Sequence, residues 1–207
     1  MAGRNRVALL SRRRPRRRRS PAALALLVLG LAGGRALAQD AALPAGLQVS
    51  LLADVLSYDR NLRGRAGTEL VVGVLYQRRF RPALDLQLEL LEAAARQPAT
   101  AVAGLPWRWV AVEIEGGEEL AAALERLQVD MVYVTPLRAL PLAAVTDATR
   151  RRQATTVTAV PEYVAAGVAV GFGLRGDRPQ ILVNRAAAAA EGSDLGSQLL
   201  RPAKVVG

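Results

Sequence analysis

The sequence contains neither cysteine nor histidine. Without cysteine the chain cannot form disulfides, hold metal through thiolates, use a thiolate nucleophile or carry a lipid on an N-terminal cysteine. Without histidine it lacks the commonest general base, the Ser-His-Asp and Cys-His arrangements and the usual zinc and copper ligands. The side chains that could still act in catalysis are carboxylates, hydroxyls, tyrosines and Lys204. We therefore expect a non-enzymatic protein with no cofactor and no metal.

Acidic residues are missing before Asp40, and this biases the overall charge. The chain has 28 basic and 18 acidic residues and a net charge of +10. Ten of the basic residues, all arginines, precede Gln39, so the rest of the chain has 18 residues of each sign. A basic balance suggests nucleic-acid binding when it lies on the folded domain. Here it is confined to the N-terminal segment, so we expect no nucleic-acid partner.

The arginine-rich start has the order of parts of a secretory signal peptide. An apolar run, Ala22–Ala32, follows the arginines, and Ala36 and Ala38 then supply the small residues that a signal peptidase reads. As a helix the run would be about 16 Å long, which is shorter than the ~30 Å hydrocarbon layer of a membrane. We expect export to the periplasm by the Sec route, with cleavage between Ala38 and Gln39 that removes residues 1–38. An uncleaved anchor is the alternative.

Strand and helix patterns alternate after the signal peptide, and no Pro/Ser-rich linker interrupts them, so we expect one domain over residues 39–207. This alternation predicts an α/β fold with a mostly parallel, doubly wound, Rossmann-like sheet and helices on both faces. Two later β-type runs joined by Gly176-Asp177-Arg178 predict an antiparallel hairpin at one edge. The predicted helices are Leu43–Leu62, Ala83–Arg96, Glu118–Gln128 and Leu137–Arg152; the predicted strands are Leu70–Tyr76, Trp107–Ile114, Asp130–Pro136, Thr155–Val160, Val168–Arg175 and Pro179–Asn184.

Three candidate binding residues lie at the carboxyl ends of predicted strands. In open α/β sheets ligands bind beyond the carboxyl ends of the strands. Glu162 and Tyr163 come just after the fourth strand, in a polar turn, and Thr135 ends the third. Two of them also have a purely structural interpretation, because Glu162 could cap the next turn and Thr135 could cap the following helix.

Three further candidates lie elsewhere in the sequence. Asp59 and Asn61 belong to a polar cluster at the end of the first helix, which either lines a cleft or is a capped, solvated helix end. Asn184 ends the hairpin and is suited to cap the alanine-rich helix after it. Glu113 and Glu115 share one face of a strand, but a solvated strand end explains them better than a catalytic pair.

Glycines at positions 167, 171 and 173 lie within a β-type run. A dinucleotide fingerprint needs its glycines at a turn that opens a helix, so this spacing is not one. We interpret these glycines as permitting close packing or a bulge.

The C-terminal third resembles the YfiR-like family of periplasmic proteins. The resemblance rests on the strand Thr155–Val160, the turn at Glu162, the glycine-containing hairpin Gly171–Arg178, the alanine run after Asn184 and the Ser-x-Leu-Leu element Ser197–Leu200. The upstream segments SLLADVLSYDRNL and VVGVLY also fit, so the resemblance covers nearly all of the chain from Val49 to Val206.

This resemblance implies a non-enzymatic periplasmic regulator that can form a homodimer. It further implies a membrane partner, a diguanylate cyclase or another signalling enzyme such as a sensor kinase, whose periplasmic part the regulator binds. This chain departs from the family pattern in having no cysteine, and Arg185 and Pro202 replace an apolar residue and a helix former. The repeated βα units leave a second function open, that of a single lobe binding a small molecule, which would need a dimer to form its cleft.

Overall fold

A computed structural model describes residues 43–97, 102–114, 117–138 and 140–207. The predicted signal peptide and its cleavage point lie outside these residues, as does Glu115. The described strands are β1 (Leu70–Tyr76), β2 (Trp107–Glu113), β3 (Met131–Val134), β4 (Thr155–Thr158), β5 (Val170–Arg175), β6 (Arg178–Val183) and β7 (Lys204–Val205). The described helices are α1 (Ala45–Ser57), α2 (Leu62–Ala66), α3 (Arg81–Arg96), α4 (Gly117–Arg126), α5 (Leu142–Arg152), α6 (Pro161–Ala165), α7 (Arg185–Ala190) and α8 (Ser197–Leu200).

The strands form one sheet in the order β2-β1-β3-β4-β5-β6-β7. Strands β1 to β5 run parallel, and β6 returns antiparallel to β5. The chain passes from β1 outward to β2 and then crosses back to β3, so the winding reverses between β1 and β3. This confirms the predicted doubly wound α/β fold with its C-terminal antiparallel hairpin. β7 was not predicted; it pairs with β6 over two residues.

Strand side chains alternate between two apolar cores, one on each face of the sheet. In β1, Val72 and Val74 belong to the core under α1 and α3, whereas Val71 and Leu75 belong to the core under α4 and α5. Because both faces are covered, β1 is apolar at every position. The helices lie on both faces of the sheet, as the sequence predicts.

A buried polar contact holds α1 on the sheet. Gln48 of α1 is 2% exposed and accepts a hydrogen bond from the phenol of Tyr133 on β3. Its amide nitrogen donates to the Leu43 carbonyl at 2.5 Å. Burial raises the pKa of Tyr133, so the phenol stays neutral and serves as a donor. The hydrogen bonds of Gln48 therefore fix the orientation of α1 on the sheet, in addition to its apolar packing.

The first predicted helix, Leu43–Leu62, is wrong in its extent. α1 ends at Ser57, and the separate helix α2 begins at Leu62. Between them the backbone turns to hydrogen-bond the C-terminal segment, with the Arg60 amide donating to the Asp194 carbonyl at 3.0 Å. The sequence pattern is helical throughout this range, but the contact with the distant C-terminal segment ends the helix early.

Two prolines explain further differences from the predicted elements. The helix predicted from Leu137 begins only at Leu142, because Pro141 has an extended backbone as the N-cap residue and disfavours helical backbone in the residue before it. The polar turn predicted at Glu162 is instead the short helix α6, with Pro161 in its first turn. Proline suits that position, since the amide it lacks would have no partner there.

Gly171 of β5 leaves room for α6. A Cβ atom at this position would lie 2.3 Å from Cγ2 of Val164, which supports the interpretation that glycine here permits close packing. We expect Gly171→Ala to lower the free energy of unfolding by about 1–3 kcal/mol, since the branched valine cannot move aside without shifting α6. Urea denaturation measures this.

Gly64→Ala is the matched control, because a Cβ added at position 64 in α2 meets nothing within 4 Å. We expect it to leave stability unchanged or to raise it by up to about 1 kcal/mol. Equal stability of the two variants would contradict tight packing at position 171.

Candidate functional site

The reversal of winding places the topological switch point between β1 and β3. In open α/β sheets this is where ligands bind, beyond the carboxyl ends of the strands. Thr135 follows β3 at this point and is fully buried. Its hydroxyl donates to the Leu75 carbonyl of β1 at 2.7 Å. Thr135 therefore fastens the two strand ends together, and it neither caps a helix nor faces solvent.

The loop after β3 lies across the switch point and is hydrogen-bonded on both sides. The Arg138 amide donates to Oε1 of Gln77, which follows β1, at 2.7 Å. On the other side the Leu137 amide donates to the phenol oxygen of Tyr163 at 2.9 Å. The bond to Gln77 spans the switch point between β1 and β3, and the bond to Tyr163 holds the loop on the side of β4.

An ionic cluster lies beside the switch point, at the ends of β1 and β2. The strand register sets Tyr76 opposite Glu113. Oε2 of Glu113 accepts from the Tyr76 phenol at 3.1 Å and from Nη2 of Arg78 at 2.7 Å. Burial, and then the neighbouring Glu113, raise the pKa of Tyr76. Glu113 is thus an ion-pair partner, and the roles of Tyr76 and Arg78 depend on a register that sequence spacing does not reveal.

α6 places the two leading candidates at the same end of the sheet. Glu162 is exposed in the first turn of α6, where a negative charge favours the helix dipole. No described residue forms a hydrogen bond or ion pair with its carboxylate. Tyr163 is half-buried, and its hydroxyl anchors the loop after β3. Glu162 is therefore available to a partner, whereas Tyr163 has a structural task as well.

Asn184 lies at the opposite end of the sheet, because β6 runs antiparallel and Val183 pairs with the first residue of β5. Its side-chain oxygen accepts from the Ala187 amide at 3.0 Å, so it caps α7. Its side-chain nitrogen donates to the Val164 carbonyl at 2.9 Å. Asn184 thus lies beside the amino end of β5 and contacts α6, the helix that carries Glu162 and Tyr163, through the Val164 carbonyl.

Asp59 also lies at the amino ends of the strands, in a buried network. Its side chain is 0% exposed and its Oδ2 lies 2.6 Å from Nη2 of Arg65. The same Arg65 nitrogen donates to the hydroxyls of Thr155 at 3.0 Å and Ser193 at 3.1 Å. The expectation of a solvated helix end is wrong for Asp59, because Arg65 returns from α2 to pair with it under the C-terminal segment.

Asn61 differs from Asp59 in being exposed. Its side-chain nitrogen donates to the Gly192 carbonyl at 3.0 Å, and its amide donates to Oδ1 of Asp59. The two polar residues of this cluster therefore join α1 and α2 to the C-terminal segment.

Across the described ranges, no group of three or more His, Cys, Asp or Glu side chains is arranged to hold a metal ion. Among the helices in the same ranges, none is long and apolar enough to cross a membrane. At the carboxyl end of the sheet, exposed charged side chains surround the hydrogen-bonded loop after β3. Such a surface can form hydrogen bonds and ion pairs with another molecule.

Solved structures share this fold at low sequence identity. An ABC domain in complex with L-Trp from Streptococcus pneumonia has a TM-score of 0.53 and 14% identity over 79% of this chain and 62% of its own. A conserved domain protein from Vibrio cholerae has a TM-score of 0.52 and 16% identity over 79% and 60%. A ligand-free substrate binding protein with adhesive properties from Clostridium difficile has a TM-score of 0.54 and 17% identity over 70% and 57%.

The chain spans about three fifths of the length of these solved proteins, and identities this low show the fold alone. No curated protein sequence matches it. A family model described as YfiR/HmsC-like matches residues 64–204, from α2 to the start of β7. This range covers the whole sheet up to its last strand and agrees with the resemblance seen in the sequence. The chain therefore belongs to the YfiR/HmsC-like family.

Proposed function

We propose that this protein is an exported regulator that binds the periplasmic part of a membrane signalling enzyme and restrains it. Membership of the YfiR/HmsC-like family carries the proposal, and a diguanylate cyclase is the partner that this family favours. The proposal includes a signal peptide over residues 1–38 that is cleaved after Ala38. The arginine-rich start and the apolar run after it support export.

Binding, and not catalysis, is the mode of action that the site supports. Glu113, whose side chain is 33% exposed, already accepts from Tyr76 and Arg78. A general base must be free to take a proton from a substrate. Glu162 is exposed on the short helix α6, which suits contact with a macromolecule.

A small-molecule binding lobe is the second candidate function. It is favoured by the fold shared with a ligand complex and a substrate binding protein. Against it stands the loop after β3, which is hydrogen-bonded to Gln77 and Tyr163 across the switch point. A ligand at the switch point would have to displace the bond to Gln77, whereas a protein partner could contact the loop from outside.

Partner binding tests the proposal at Glu162. We expect Glu162→Ala to weaken binding to the purified periplasmic part of a membrane diguanylate cyclase from the same organism by about 5- to 30-fold, the range for a contact of 1–2 kcal/mol. Its melting temperature should hardly change, since exposed substitutions usually alter stability by less than about 0.5 kcal/mol. Calorimetric titration measures the binding.

Two further variants make the result interpretable. Glu89→Ala removes an exposed acid from α3, on the other face of the sheet, and should bind normally. Tyr163→Phe removes the anchor of the loop but keeps the ring, so it separates the loop's position from the charge of Glu162. Unchanged binding by Glu162→Ala together with weak binding by Asn61→Ala would place the contact at the amino ends of the strands and would reject this site.

A further inference from the structure

Exposed basic side chains gather at the C-terminal edge of the sheet. From residue 170 onward the chain has five basic and three acidic residues, although the sequence from Gln39 to its end is neutral overall. Two of the five lie at the tip of the β5–β6 hairpin, and two lie in the segment that follows α8. These four exposed residues form what we call the basic edge: Arg175, Arg178, Arg201 and Lys204.

The basic edge is not neutralised by the acids of the same part of the chain. Within the described ranges, none of its four side chains forms a hydrogen bond or an ion pair. Glu191 is buried, and Asp194 pairs with Arg60 at 3.3 Å. The third acid, Asp177, lies in the hairpin turn. The basic edge therefore keeps a net positive charge on its surface.

The hairpin holds two of these cations directly opposite each other. Arg175 of β5 pairs with Arg178 of β6 in the antiparallel register. Like charges in opposite positions destabilise a pair of strands, and Asp177 is the only acid in the hairpin sequence. An anion from outside the chain therefore explains this arrangement better than the stability of the hairpin does.

A cavity of about 230 Å³ joins the hairpin tip to the segment after α8. Its lining includes Arg175, Arg178 and Pro202, together with apolar side chains of α1 and β6. Lys204 is held close by, because β7 pairs it with Leu182 of β6. A guanidinium can donate two parallel hydrogen bonds to a phosphate. The chemistry of this cavity therefore suits a phosphate group.

Exposed apolar side chains lie among the cations. Leu174, next to Arg175, is 39% exposed, and Val205, next to Lys204, is 47% exposed. Proteins that bind the surface of a membrane combine basic side chains with apolar ones that enter the headgroup layer. The cations of the basic edge are also spread over the hairpin, the end of α8 and β7. A plane of headgroups can contact all of them, whereas an acidic peptide in the cavity would reach only the two arginines that line it.

We propose that the basic edge binds the surface of a membrane that contains anionic phospholipids. Coulomb attraction brings the edge to the headgroups. Arg175 and Arg178 bind lipid phosphate, while Leu174 and Val205 enter the headgroup layer. This binding involves lipid alone, so it is separate from recognition of any membrane protein. It would concentrate an exported regulator at the membrane that holds its partner.

Sedimentation with lipid vesicles measures this binding. We expect the mature protein to bind vesicles of phosphatidylglycerol and phosphatidylethanolamine, and to leave vesicles of phosphatidylcholine unbound. Added salt should weaken the binding, because it screens exposed charges. The double variant Arg175→Gln/Arg178→Gln should bind the anionic vesicles about 30-fold more weakly, or about fivefold for each arginine lost.

Arg126→Gln/Arg151→Gln is the matched control. It removes the same amount of charge from exposed arginines of α4 and α5, and it should bind anionic vesicles as the wild type does. Both double variants should keep the wild-type melting temperature. Leu174→Ala should reduce the binding that persists at high salt, since that part depends on apolar contact.

Three results would overturn the proposal. Equal losses in the two double variants would show that net charge, and not this edge, attracts the lipid. Binding of inorganic phosphate without binding to anionic vesicles would assign the cavity to a free anion. A wild type that ignores vesicles, but whose binding to the periplasmic part of the cyclase is lost in Arg175→Gln/Arg178→Gln, would assign the edge to an acidic protein surface. The vesicle test contains no cyclase, so its failure is distinct from a failure of the proposed regulation.

Discussion

Replacing Asp59 with alanine is expected to lower the free energy of unfolding by about 3–5 kcal/mol, the cost of breaking a buried ion pair by removing one partner. The Asp59 side chain is completely buried and that of Arg65 is 15% exposed. Without the carboxylate, the guanidinium keeps only neutral partners, and the amides of Asn61 and Asp194 lose the oxygen that each contacts at 3.0 Å. Urea unfolding followed by circular dichroism measures the loss.

Two controls separate this network from ordinary surface charge. Asp194→Ala removes the pair with Arg60, whose side chains are 49% and 65% exposed; it should cost no more than about 1 kcal/mol. Asp59→Asn keeps one acceptor oxygen for the two amides and should fall between wild type and Asp59→Ala. Equal stability of Asp59→Ala and Asp194→Ala would show that the network does not hold the C-terminal segment in place.

Stability is also expected to fall as the pH rises from about 4.5 to about 7, because of Glu191. This residue is 0% exposed, and its carboxylate accepts from the Thr156 amide at 2.7 Å and from the Thr149 hydroxyl at 3.0 Å. Burial raises the pKa of Glu191 from 4.5 to about 7, although the bonds from Thr156 and Thr149 and the charge of Arg150 act in the opposite direction.

The sign follows from proton binding. Because the pKa of Glu191 is raised in the folded state, the folded protein binds this proton more tightly than the unfolded chain does. The contribution of Glu191 to stability is therefore complete below about pH 4.5 and is lost as the pH passes about 7. The difference corresponds to roughly 3 kcal/mol. Since the chain has no histidine, few other groups titrate in this range.

Urea unfolding midpoints between pH 5 and pH 8 measure this dependence. In Glu191→Gln the amide cannot ionise but can still occupy the site, so we expect its stability to be nearly constant over the range. A wild-type slope that survives in Glu191→Gln would assign the titration to another group. A flat wild-type curve would show that the buried carboxylate is ionised without cost.

Local patterns were sufficient for the elements whose environment is uniform. β1 was predicted with its bounds, because a strand covered on both faces must be apolar at each position. α3 and α4 were predicted to within a few residues from helical spacing. The hairpin of β5 and β6 was predicted from turn residues between two β-type runs. Each of these depends on interactions between residues that are near in sequence.

The candidate site was only partly predictable, for a related reason. Glu162 and Tyr163 were placed at the carboxyl ends of the strands, because the order of elements along the chain determines which end a residue follows. The cluster of Tyr76 and Glu113 depends on the register between β1 and β2, 37 residues apart. Periodicity within one strand carries no information about its register with another.

The amino acid sequence by itself determined the class of fold, the apolar faces of its helices and strands, the export signal we expect and the absence of thiol and imidazole chemistry. The sequence also indicated the family, and the match of the family model over residues 64–204 confirms this prediction. Only the tertiary structure decided that Asp59 is buried and that Glu191 lies under α5, because their partners come from segments up to 135 residues away. The free energy of a buried charge depends on the groups that surround it, and those surroundings form only when the chain folds.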